Sequence, residues 1–327
     1  MSVLMPLGKN INQKETVTVS VYKTENRNLW NDFVAGTKNG SFLFCRNYMD
    51  YHSDRFKDHS LMFFQKGKLI ALLPANLHEG VLYSHEGLTF GGVISNYSMS
   101  TNLMLKIFEK IKEHCLSQGI YKIIYKPVPA IYHSIPSDED LYALFRSDAK
   151  LIGRNAASCI YLADKRKFET KRREAIKKAQ KNGLVVKQSY DFESFMRLVE
   201  QVVTERHGAR PVHTSGEMCL LASRFPSNIK LFASYRDDVM LAGCLIYESK
   251  NVAHGQYAAN SNEGRALGAQ DIIVNYLIND YYKDKKYFDF GISTLDHGRI
   301  LNDGLIAHKE SFDASTIVYD LYEMAIQ

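Results

Sequence analysis

The feature that most restricts this chain is an internal repeat. LMFFQ (61–65) and LIALLPANL (69–77) flank Lys66-Gly67-Lys68 and predict a β-hairpin. The strand VLYSHEG follows, then the glycine-containing loop LTFGGVIS, a helix through MSTNLMLKIFEKIKEHCLSQ that Gly119 stops, and the strand IYKIIYKPV. About 170 residues later the order recurs, an offset far above solenoid periods. IKLFASY (229–235) and VMLAGCLIY (239–247) flank Arg236-Asp237-Asp238, and NVAHGQYAAN, a loop, the helix GAQDIIVNYLIND and the strand KYFDFGIS come after. Helical segments precede both hairpins. DFESFMRLVEQVVTERHG has Asp191 as an N-cap and a buried stripe of Phe192, Phe195, Met196, Val199, Val202 and Val203, whereas NLWNDFVAGTKNG is weaker, with Trp30, Phe33 and Val34. A helix between neighbouring strands makes a parallel crossover, so the repeat predicts an α/β protein (α+β mixed sheets) of two similar domains. The division falls at 1–150, a linking strand and basic helix at 151–190, and 191–327.

A length of 327 residues suits two domains, and 45% hydrophobic with 24% charged residues suits a globular chain. The longest uncharged run, Gly87–Leu105, is broken by glycine, serine and asparagine, so no membrane span is expected. MSVLMPLGKNINQKE lacks the order of a secretory signal, which makes the cytoplasm the expected compartment. Five scattered cysteines without a CxxC pair indicate neither a disulfide frame nor a zinc knuckle. His207, His213 and Cys219 are spaced by six, but no fourth ligand accompanies them, and no metal site is assigned. Asp289-Phe290-Gly291 spells the kinase metal triplet without the other kinase segments, and no GxxxxGK[ST] occurs, so nucleotide hydrolysis has no support.

Charge is concentrated in one element. Residues 165–187 hold ten Lys or Arg against two Glu, a net +8 within a chain of +5. The remainder is therefore acidic. KRKFETKRREAIKKAQKNGLVV reads as a helix with a narrow apolar stripe of Phe168, Ala175, Ile176 and Ala179, stopped by Asn182-Gly183. It is either a solvated face or a surface that holds an anionic partner.

This order of elements resembles the GNAT acyltransferase fold, and the tandem pair resembles its FemAB-like branch, whose members join amino acids to peptidoglycan precursors using aminoacyl-tRNA. Three stretches carry the likeness: KRREAIKKAQKNGLVV, LTFGG (88–92), and YFDFGISTLDHGRILNDGLIAHKESFDAS with Leu305, Lys309 and Phe312 in its closing segment. The resemblance implies amide formation between an activated acyl or aminoacyl donor and a small-molecule or peptide amine, with a cell-envelope precursor among the acceptors. Acyl-CoA or aminoacyl-tRNA would enter as co-substrate, with no tightly bound cofactor. GNAT enzymes hold the pyrophosphate of coenzyme A at a helix opening written Q/R-x-x-G-x-G/A; here Arg265 and Gly268 supply the first and fourth places and Gln270 replaces the last Gly or Ala, so Arg265, Gly268, Ala269 and Gln270 are the expected cofactor-binding residues. The same residues also suit an ordinary strand-to-helix turn.

The resemblance also places a functional lysine at Lys309, where its charge would steady an oxyanion; by itself Lys309-Glu310 reads equally as a solvent-facing pair. His207, Arg210 and His213 fall where the fold borders its acceptor, although a capped helix with surface histidines explains them too. Arg172 and Arg173 would meet substrate phosphates, with tRNA a possible partner, and His213 and Asp296 are the candidates for general base. No Ser-His-Asp or Cys-His motif is evident, so direct transfer is expected. The rival function is a scaffold without chemistry, its basic helix docking RNA or lipid headgroups.

Overall fold

The computed structural model describes residues 16–208 and 210–327, with Arg206 and His207 described by backbone alone. Both predicted hairpins form: β2 (Leu61–Gln65) with β3 (Lys68–Leu73), and β10 (Ile229–Arg236) with β11 (Val239–Glu248). Lys66, Gly67, Asp237 and Asp238 all have positive φ, as a type I′ turn requires if its twist is to match the strands. Helices precede each hairpin, α1 (Arg27–Ala35) and the single turn α2 (Arg46–Met49) in the first half, α6 (Phe192–His207) and α7 (Ser215–Arg224) in the second. Asp191 caps α6 by accepting from Ser194 N at 2.9 Å, and Thr214 with Glu217 forms a capping box on α7.

After each hairpin a strand leads through a helix to a parallel strand. In the first half these are β5 (Val81–Tyr83), α3 (Thr101–Ser117) and β7 (Lys122–Tyr125). In the second they are β12 (Val252–Asn260), α9 (Ala269–Tyr276) and β13 (Tyr287–Ile292).

The repeat predicts a mixed sheet in each half; the halves instead share one. Its ten strands run β4 (Asn76–His78), β5, β7, β16 (Ser315–Ala325), β8 (Lys150–Tyr161), β13, β12, β11, β10 and β9 (Val185–Ser189). The reason is length. β8 and β16 have 12 and 11 residues, roughly 40 Å of strand, so each reaches from one half into the other. β16 pairs with β8 along Ser315–Glu323 and with β7 along Tyr322–Ala325. A four-stranded sheet of β1 (Val17–Val21), β2, β3 and β6 (Ile94–Ser95) backs the first half.

Buried apolar residues follow the same plan. Leu61, Phe63, Ile107, Phe108 and Tyr125 pack in the first half, while Phe168, Ile176, Ile273, Phe288 and Phe312 pack in the second, beneath α9 and the basic helix α5 (Thr170–Lys181). A third cluster, with Trp30, Phe44, Tyr48, Phe195, Tyr247 and Tyr319, spans both. The remaining elements are α4 (Glu139–Arg146), α8 (Asn262–Leu267), a ribbon of β14 (Thr294–Leu295) and β15 (Ile300–Leu301), and α10 (Asp303–Glu310). Among the described residues no helix is long and apolar enough to cross a membrane.

Candidate active site between the two halves

The two parallel pairs end differently. In the first half β5 and β7 part after Tyr83, but the loop that follows fills the gap. Gly91 N donates to Lys126 O at 2.8 Å, Lys126 N to Ser84 Oγ at 2.7 Å, and Val93 N to Tyr125 Oη at 2.7 Å. A Cβ on Gly91 would lie 2.0 Å from Ser84 O, so only glycine lets the loop sit this deep. The slot is closed.

In the second half β12 and β13 stay paired for Val252–Tyr287, Ala253–Phe288 and His254–Asp289, then separate. The β11 register passes from Leu245–Tyr257 to Ile246–Gly255, which leaves Gln256 in a bulge, and β13 slips against β8 between Asp289 and Ile292. Bulges bend a strand and free its backbone from the ladder. The gap opens onto a cavity of about 570 Å³ between the halves, lined by His254, Gln256 and Gly291 on one side and Tyr83, Glu86 and Lys126 on the other.

Asp289, 0% exposed, lies behind the lining residues His254 and Tyr319. His254 Nδ1 (2.8 Å), Tyr132 Oη (2.8 Å) and Tyr319 Oη (2.5 Å) all donate to its Oδ2, and Gly291 N donates to Oδ1 at 2.7 Å. Burial alone would raise this acid; the His254 charge and the hydrogen bonds from His254, Tyr319 and Gly291 N outweigh it and hold the carboxyl below its ordinary range. A buried carboxylate that orients an imidazole bordering a cavity is an arrangement able to take and return a proton. Lys309 stands behind the same strand end. Its Nζ donates to Gly291 O (2.8 Å) and Ile292 O (2.7 Å), and burial lowers its amine to about 8 although Asp289 opposes that shift.

The other sequence candidates lie elsewhere. His213 is outside the cavity lining; its Nδ1 meets Tyr257 Oη at 2.8 Å, its ring stacks on Tyr51, and burial lowers it to about 4. Asp296 is exposed on the turn of the β14–β15 ribbon, so neither expected base lines the cavity. Arg210 is exposed, and the His207 side chain lies outside the described residues.

The expected phosphate loop also differs. Most of it is the helix α8, and Arg265 turns back to give Nε and Nη2 to Asn260 O at 3.0 and 2.7 Å. Gly268, at φ +79°, packs against α5 so closely that a Cβ would lie 2.4 Å from Ala175 O. Ala269 is buried and Gln270 holds a buried, unpartnered Oε1. Asp271, in the first turn of α9, already supplies a negative charge there and pairs with Arg172 Nη1 at 2.8 Å. Arg172 Nε donates to Ser311 Oγ at 2.9 Å as well, which commits it to the fold. Arg173 is exposed and borders a groove of about 690 Å³ with Lys165, Arg166, Lys167 and Lys177.

Residues 166–299 match the family described as acetyltransferase (GNAT) domain, and together with similar solved structures this shows a fold of two GNAT-like halves. Among solved structures, that of FemX aligns over 94% of this chain and 97% of its own, at 13% identity and a TM-score of 0.69. The fold is thus of the FemAB-like kind. A tandem GNAT protein from the clavulanic acid biosynthesis pathway aligns over 95% and 99%, at 9% identity and a TM-score of 0.50. L-PGS from Bacillus licheniformis covers 79% of this chain and 81% of its own, at 13% identity and 0.53. At such identities the likeness is one of fold. No curated protein matches the sequence.

Proposed function

We propose that this protein is an acyltransferase that forms an amide between an acyl or aminoacyl group on a phosphorylated carrier and an amine held between the halves. The observation that carries the proposal is the Asp289–His254 pair where β12 and β13 part, its His254 lining the interhalf cavity and its Asp289 buried behind. The amine nitrogen attacks the donor carbonyl as His254 Nε2 takes its proton; the C–N bond forms, the bond to the carrier breaks, and the proton passes to the leaving group. Asp289 fixes the ring and steadies its charged form. The bulged backbone at Gln256 and the charge of Lys309 behind Gly291–Ile292 favour the oxyanion. No covalent enzyme intermediate is needed.

The donor is acyl-CoA or aminoacyl-tRNA. Both carriers are polyanions, and the groove of Lys165, Arg166, Lys167, Arg173 and Lys177 supports a phosphate-binding role better than the α9 opening, whose first turn already carries Asp271 paired with Arg172. A peptide or small-molecule amine is the acceptor, with cell-envelope precursors in that class. The same cationic groove also supports the rival proposal of a scaffold for RNA or lipid headgroups. Incubating the protein with labelled acyl-CoAs and charged tRNAs against a panel of amines separates the two. Turnover that falls about 10²–10⁴-fold in His254→Gln supports the transferase. No turnover on any pairing, with salt-sensitive polyanion binding intact, leaves the scaffold.

A further inference from the structure

Three side chains converge on one oxygen of Asp289, and two of them are tyrosines from different halves. Tyr319 stands on β16. Tyr132 ends the short turn Ala130–Tyr132 of the first half, its ring packed on Phe90 at a centroid distance of 4.5 Å. Asn251 Nδ2 of the second half donates to the adjacent His133 O at 2.7 Å, which ties this segment across the interface. The two hydroxyls also touch, 3.2 Å apart.

One carboxylate oxygen suffices to orient an imidazole. Two further neutral donors on that oxygen spread its charge and compete for its lone pairs, so the bond to His254 weakens as the tyrosine bonds form. Burial, and the Asp289 charge next to it, push both phenols well above their ordinary range. They remain donors throughout any working pH.

We infer that Tyr132 and Tyr319 are positioning residues that set how tightly Asp289 holds the His254 proton, so that the first half, its own slot closed, completes the base of the second. The catalytic meaning rests on the proposed transfer reaction; the physical content does not. Other groups around the pair are few. Lys309 of α10 lies behind Gly291, and Cys159 of β8 stands opposite Asp289 in the ladder. Across the cavity the first half presents Lys126 and Glu86, while His297 and Asp320 share the lining, Asp320 already held by Arg154 at 2.7 and 2.8 Å. Among the described residues, only the tyrosines and Gly291 N share the carboxylate with His254 through hydrogen bonds.

Tyr132→Phe and Tyr319→Phe each remove one hydroxyl. The first readout is the low-field proton resonance of His254 Nδ1–H, identified by its loss in His254→Gln. It moves downfield in each variant as the carboxylate becomes the stronger acceptor; a resonance that stays in place in both overturns the inference. Placing 3-fluorotyrosine at position 319 strengthens that donor and moves the resonance upfield, so the test survives if the phenylalanine variants do not fold. The second readout is the pH–rate profile. Its acid limb shifts upward by about one unit, roughly tenfold less activity on the acid side, with the plateau retained. A uniform loss at every pH with an unmoved resonance marks a merely structural role and overturns the inference. If wild type turns over no substrate pair, the resonance still decides the tyrosines while the transferase proposal falls alone.

Discussion

Lys309 shows how one side chain couples stability to the site. It is 6% exposed and gives two hydrogen bonds to the carbonyls that end β13. Lys309→Met removes both donors and leaves Gly291 O and Ile292 O unpaired, a loss of about 1–3 kcal/mol readable by urea denaturation, together with a fall in transfer rate. The pH dependence has a definite sign. Folded Lys309 titrates at about 8 against an ordinary 10.5, so between these values the unfolded chain holds the extra proton and stability rises with pH. Lys126, also lowered to about 8 by burial, contributes a similar rise. Above pH 9 the thiols Cys45, Cys115, Cys159 and Cys244, raised by burial, oppose it, so the Lys309 share is read as the difference between Lys309→Met and wild type from about pH 8 to 9. An unchanged alkaline rise in the variant contradicts the buried, hydrogen-bonded placement. The sequence made Lys309 a candidate only through a family likeness, and Asp289 read as nothing more than a strand end. His254 carried no signal, because its meaning comes from a parallel register that brings it beside a residue 35 positions away. Spacing along a chain does not encode which residues of two strands stand opposite each other.

At the scale of elements, α9 is where expectation and structure differ most. Arg265 and Gly268 promised a helix opening free for pyrophosphate, with Gln270 the departure from the motif, and the helix itself is there. What sequence could not show is that α5 packs across its start, with Asp271 and Arg172 satisfying the charge. Gly268 thus serves close helix packing and a left-handed backbone. Gly268→Ala combines a φ of +79° with a Cβ against Ala175 O and loses about 2 kcal/mol or more, seen as a lowered melting temperature. Arg265→Ala loses about 1–2 kcal/mol with its bonds to Asn260 O. Any rise in melting temperature that coenzyme A produces stays the same in Arg265→Ala as in wild type; its selective loss restores the pyrophosphate seat. The hairpins and their turns were more legible, since short apolar runs on either side of Lys66-Gly67 and Asp237-Asp238 are local signals that tertiary packing reinforces.

Across the whole molecule the repeat correctly indicated two similar halves but not that they share a sheet. Local periodicity cannot say that the last strand, β16, will run between β7 of the first half and β8, or that a cluster containing Trp30 and Phe195 will span both. With β16 common to the halves and a core continuous across them, neither half keeps its buried surface if the other opens, so unfolding should be a single transition. The chain's one tryptophan makes this measurable. Trp30 is fully buried in the first half, so its fluorescence follows that half, while far-ultraviolet circular dichroism follows both. Phe312 belongs to the core of the second half, and Phe312→Ala should cost about 3–5 kcal/mol. In a cooperative molecule that loss moves the Trp30 transition as far as the dichroism transition, although Phe312 belongs to a separate cluster. A Trp30 transition left in place while the dichroism splits into two steps would show halves that unfold independently. The catalytic role inferred for Tyr132 would then require a first half held in position by something other than the shared sheet.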